Sequence, residues 1–184
     1  MNSGGGGPAG RIPGTGLMVS TLADQYRRWF EYEKDSHAKV LECLLDLPHS
    51  TRTAAAYQKA IVLFAHIIEA RRLWLFRFGA RSDAPTEFFP KGLTPEELVP
   101  RLKAMETAWA GYLARLDETE IAREFEYRSL EGGYFRNQIQ DILAQLFGHS
   151  WYHRGQIASL IRSLGYDPPA TDFVFWTREP LRQT

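Results

Sequence analysis

Four stretches of this chain space their apolar residues three and four apart, at about 20–45, 53–78, 94–117 and 137–164. That period is the helical one, and runs of this length leave little room for anything but long amphipathic helices. In the first run Leu22, Tyr26, Trp29, Phe30, Val40, Leu41 and Leu44 share a face, and Ser20 or Thr21 can cap its start. The second is apolar almost all round between Ile61 and Phe76, as befits a helix covered on most sides, and Gly79 is a natural stop. The third has the clearest start. Thr94 is an N-cap, Pro95 takes the first helical position, and Glu97 completes a capping box. The fourth carries GHSWYHRGQI and is closed by Gly165.

The segments between these runs follow other rules. ARSDAPTEFFPKGL reads as a loop from its prolines, glycine and polar residues. From Glu124 to Asn137 the period changes to alternation, with Phe125 and Tyr127 between charged residues and Gly132-Gly133 permitting a reversal. A short β-ribbon or irregular excursion is expected there, before the last helix. The tail YDPPATDFVFWTREP holds too many prolines for helix, and its aromatics are expected to pack back along the other elements. Residues 1–16 are rich in glycine and proline and are expected to be a flexible tail. Residues 17–184 then form one all-α domain whose default architecture is a four-helix bundle.

Composition excludes some functions. The 22 basic and 22 acidic residues balance, so the bulk signature of a nucleic-acid binder is missing, as is a recognition-helix pattern. No apolar run approaches the ~20 residues that span a bilayer. The single cysteine, Cys43, rules out an internal disulfide framework, and no signal or transit pattern is seen at the N-terminus. A cytoplasmic protein is expected.

His149 and His153 lie four residues apart, so on a helix they stack on one face. That face is apolar, with Ile142, Leu146 and Leu160 within about 60° of His149 at ~100° per residue. His66 sits on the inner face of the second helix among Val62, Leu63, Ala70 and Leu73. A lone histidine on such a face is ordinarily a hydrogen-bonded core residue. A pair at i and i+4 with a third on a facing helix is better explained as three imidazole ligands for one metal ion. Three such ligands with an open position define a reactive site, not a closed structural one. Glu33 and His37 also face inward, one turn apart on the first helix. Each is open to several roles: a fourth ligand, a hydrogen-bond partner behind a ligand, a proton acceptor, or a residue at the end or rim of the bundle. His49 reads as a solvated loop residue, and Arg27-Arg28 and Arg71-Arg72 as solvated or snorkelling pairs. HExxH, paired Glu-x-x-His, phosphate-loop and Gly-x-Ser-x-Gly motifs are absent.

The run AHIIEARRLWLFRF with its histidine, then GHSWYHRGQIASLIRSLGYDPP and DFVFWTRE, resembles the DinB/YfiT-like family over roughly residues 22–178. The His-x-x-x-His-Arg-Gly-Gln element from His149 to Gln156 is the most specific part. The resemblance implies a bundle in up-down-down-up order with a long crossover, and a homodimer. It implies a divalent ion (nickel, zinc or iron) held by His66, His149 and His153. It also implies one of two activities. One is S-transfer or isomerisation with a low-molecular-weight thiol such as mycothiol, bacillithiol or glutathione; the other is metal-dependent hydrolysis of a small molecule. Glu33, His37 and Tyr152 are the candidate assisting groups, and no catalytic residue is assigned among them. The alternative is a non-catalytic dimeric stress-response or binding protein with a structural or sensory metal. A fourth protein ligand would favour that alternative, and an open coordination position the enzyme.

Overall fold

The computed structural model describes residues 20–181; the tail expected at 1–16 lies outside the described residues. Helix α1 spans Leu22–Asp46. Thr21 caps it by accepting from the Asp24 amide while the Asp24 carboxylate accepts from the Thr21 amide, a reciprocal box that satisfies two otherwise orphaned donors. After a single 3-10 turn at His49–Thr51, α2 runs over Ala55–Arg77. Gly79, at φ 71°, ends it in the left-handed conformation open to glycine, and the Ala80 amide folds back onto the Leu75 carbonyl at 2.8 Å. Helix α3, Pro95–Ala114, begins as its sequence demands, with Thr94 and Glu97 exchanging side-chain and backbone hydrogen bonds.

The expected end of this third helix near Asp117 is corrected. Asp117 instead accepts from the Glu120 amide and caps a separate short helix, α4, at Glu118–Ala122. Strands β1 (Glu124–Arg128) and β2 (Tyr134–Gln138) form the ribbon, antiparallel, with Tyr127 opposite Phe135. Helix α5 spans Ile139–Ser163. The tail is a second correction: Phe173–Thr177 forms one helical turn, α6. Pro168-Pro169 and Pro180 bracket it without entering it, so the Asp172 carbonyl is free to accept from the Phe175 and Trp176 amides. The tail does pack back, with Phe173 and Trp176 edge-on to Tyr32 at 5.0 and 5.9 Å.

Side-chain contacts give the helix directions. Tyr26 bonds the Gln140 carbonyl, Trp29 meets Phe147, and Tyr32 meets Arg154, so α1 and α5 run parallel. Tyr57 bonds the Leu44 carbonyl and Arg71 pairs with Glu33, so α1 and α2 are antiparallel. Glu69 lies by Arg101 and Phe78 stacks on Tyr112, so α2 and α3 are parallel. The order is up-down-down-up, and the parallel α2–α3 step requires the long connection between them. The fold is all-α with one small ribbon. Leu44, Ile68, Leu75, Trp109, Leu143 and Ile157 lie fully buried between the helices. No helix among the described residues is long and apolar enough to cross a membrane.

Candidate metal centre

Helices α2 and α5 form the most extensive helix contact, antiparallel, and carry the three histidines to one point. The Nε2 atoms of His66 and His149 are 3.0 Å apart, and those of His149 and His153 are 3.1 Å apart. One donor atom from each residue lies within 4.8 Å of the other two, so the group could hold a metal ion. Nitrogens at ~2.0–2.1 Å from a tetrahedral ion would be separated by about 3.3 Å, close to the two spacings seen.

The far side of the rings shows why Nε2 is the free atom. His66 Nδ1–H donates to the Phe88 carbonyl at 2.8 Å, and His153 Nδ1–H donates to Gln156 Oε1 at 2.8 Å. A neutral imidazole with its proton on Nδ1 presents a lone pair at Nε2. Two such lone pairs face His149 Nε2, which carries at most one proton and can satisfy only one of them. A cation satisfies all three.

The electrostatics agree. Burial lowers the His66 pKa, against the Phe88 hydrogen bond and with the help of His153. Burial, then His153, His66 and Arg71, push His149 down to about 4. Both are therefore neutral at pH 7, the state in which imidazole binds metal. His153 is buried, while His66 and His149 are half-buried. Phe89 stacks on His66 at 3.9 Å and Tyr152 stands 5.1 Å from His153, both rings exposed.

Glu33 and His37 do not join this group. They are fully buried, which also overturns a place at the end or rim of the bundle. Glu33 Oε2 pairs with Arg71, and its Oε1 is 3.9 Å from Arg154 Nη1. His37 lies against Phe64, 3.9 Å from Glu106. Arg71 is likewise corrected: it is buried, not solvated, with its guanidinium over the rings of Phe147 and Trp109 at 4.6 and 5.0 Å. The missed signal was available. An inward carboxylate on one helix demands a cation on a helix it faces, and Arg71 and Arg154 supply two. The Phe88 carbonyl had no such signal, since a backbone group carries no residue identity. His49 is exposed as expected. Cys43 is half-buried, its thiol pKa raised by burial and then by Asp46, so it is no activated thiolate.

Protein DinB of Bacillus subtilis (strain 168) is 18% identical over 160 residues, covering 83% of this chain and 93% of the relative. No solved structure matches significantly. The DinB family model matches residues 18–181, nearly the whole chain, and with the three-histidine group inside that span the chain belongs to the DinB family.

Proposed function

We propose that the protein is a divalent-metal-dependent enzyme acting on a small molecule, as a thiol-dependent S-transferase or isomerase or as a hydrolase. His66, His149 and His153 hold the ion, which is nickel, zinc or iron. The observation that carries this reading is the convergence of three Nε2 atoms, two of them tied back through Nδ1. A divalent ion in such a site lowers the pKa of a bound thiol or water and supplies a nucleophile at neutral pH. The chain's own part is to keep His66 and His149 neutral, to fix the His66 and His153 rings through Nδ1, and to set the exposed rings of Phe89 and Tyr152 beside them. Glu33 and His37 lie in a separate buried cluster, so neither supplies a fourth protein ligand, and this favours the enzyme over a closed structural metal. The reading includes a cytoplasmic homodimer, which rests on family likeness and the single free cysteine; sedimentation as a monomer at micromolar concentration would refute the dimer.

The test is elemental analysis of untagged protein purified without added metal, repeated on His153→Ala. About one equivalent of nickel, zinc or iron, lost in the variant, supports the site and selects the ion for a thiol-substrate screen. No metal in either protein, with no uptake on titration, overturns it.

A further inference from the structure

Gln156 touches none of the converging nitrogens, yet it stands behind one of them. It is three residues beyond His153 on α5, so both side chains fall on the same face, and its Oε1 is 2.8 Å from His153 Nδ1. On the other wall the Phe88 carbonyl makes the same contact with His66 Nδ1, also at 2.8 Å. Phe89, the next residue, lies flat on the His66 ring, with centroids 3.9 Å apart and planes 9° from parallel. The connection between α2 and α3 thus holds one imidazole as Gln156 holds another.

An imidazole offers a lone pair from only one nitrogen, and which one is set by the bond the other makes. Without an acceptor at Nδ1 the proton is free to sit on Nε2, where it would point at its neighbour and block a cation. We propose that Gln156 and the Phe88 carbonyl are positioning groups that lock His153 and His66 in the Nδ1–H form, so that the α2–α3 connection is part of the metal site. This deepens the three-histidine reading above and rests on it for its metal arm. His149 is the ring with no such tether among its hydrogen bonds, and it sits between the two that are held.

The experiment has two readouts. Long-range nitrogen–proton NMR of the metal-free protein reports the tautomer of each ring. His66 and His153 are expected with Nε2 unprotonated. In Gln156→Leu, His153 becomes a tautomer mixture while His66 keeps its signature, because its tether is the loop carbonyl. Competition titration with zinc alone is the second readout, and Gln156→Leu should bind about 10–100-fold more weakly than wild type. Gln156→Glu keeps an acceptor oxygen and should restore both the tautomer and the affinity, which a merely structural role would not predict. Wild-type zinc affinity in Gln156→Leu with an unchanged His153 signature overturns the inference and leaves the metal site standing. If the wild type takes up no zinc, the three-histidine reading fails, and the tautomer spectra still decide whether Gln156 and Phe88 hold the rings.

Discussion

His153 and Arg154 are neighbours on α5 and serve two polar regions that solve the problem of burial in opposite ways. On Arg154's side the groups answer one another. Glu33 takes Arg71, approaches Arg154, and Arg154 donates to the Tyr32 hydroxyl at 3.0 Å. The Tyr32 hydroxyl in turn donates to the Thr171 carbonyl, which ties the tail to the core. On His153's side the groups do not answer one another, because three like nitrogens converge and two of them, on His66 and His153, have their protons held behind them. The first region sets one carboxylate between two guanidiniums and leaves both His37 nitrogens and Arg71 Nη1 without hydrogen-bond partners, whereas the second turns lone pairs at one another where a cation would satisfy all three. Both contain histidine, and burial depresses the pKa of His37 as it does that of His149, so titration alone would not separate them. What separates them is whether opposite charges or identical lone pairs face each other.

The largest test of this contrast removes the carboxylate. Glu33→Ala leaves Arg71 buried without its partner, a loss that typically costs 3–5 kcal/mol. For a domain of this size that is a fall in Tm of the order of 10 °C. Metal uptake per folded molecule should stay at the wild-type level; its loss would mean the two regions are one. The double variant Glu33→Leu, Arg71→Met should recover much of the stability in urea unfolding.

Next in size, zinc at about 100 times its Kd should stabilise wild type by about 2.7 kcal/mol. Thermal melts should show the shift, and His153→Ala should show none while melting close to metal-free wild type. An equal shift in the variant would remove His153 from the ligand set.

A smaller effect is visible in pH. Burial, with Glu33 and Glu31 and against Lys34, raises the Glu106 pKa from 4.5 to about 7. The folded state then holds a proton that the unfolded chain has lost between those values. Its contribution to stability is full below pH 4.5 and declines as pH rises through 7. Glu106→Gln, which cannot ionise, should therefore gain on wild type from pH 5 to pH 8. Burial gives the His149 ring the opposite sign, lowering stability as pH falls from 6.5 towards about 4. A Tm difference between Glu106→Gln and wild type that is flat with pH would show that Glu106 titrates normally. Smallest is Thr94→Ala, which removes the cap of α3 and should cost about 1 kcal/mol in urea unfolding.

The helices and the histidine trio were legible because both depend on spacing. Thr94-Pro95 with Glu97 announces a start, Phe125 and Tyr127 announce a strand, and His149 and His153 share a face by geometry alone. Depth was not legible. Periodicity tells which way Glu33 points but not how far along the bundle axis it lies, so from sequence a fully buried carboxylate is indistinguishable from a rim residue or a ligand. Arg71 departs from expectation for a related reason: arginine pairs are ordinarily solvated, and its partner on α1 makes the buried place tenable. The single turn of α6 was hidden by the prolines around it, which end structure on either side without forbidding it between them.

The spacing of the trio along the chain has a kinetic consequence. His149 and His153 belong to one helix and come together as soon as that helix forms, whereas His66 and His149 are separated by 83 residues. Two nitrogens are therefore available early and the third only after a large loop has closed. An ion added during refolding should bind in two stages, weakly to the α5 pair and tightly when α2 docks, so the change in its affinity would time the meeting of the two halves of the chain.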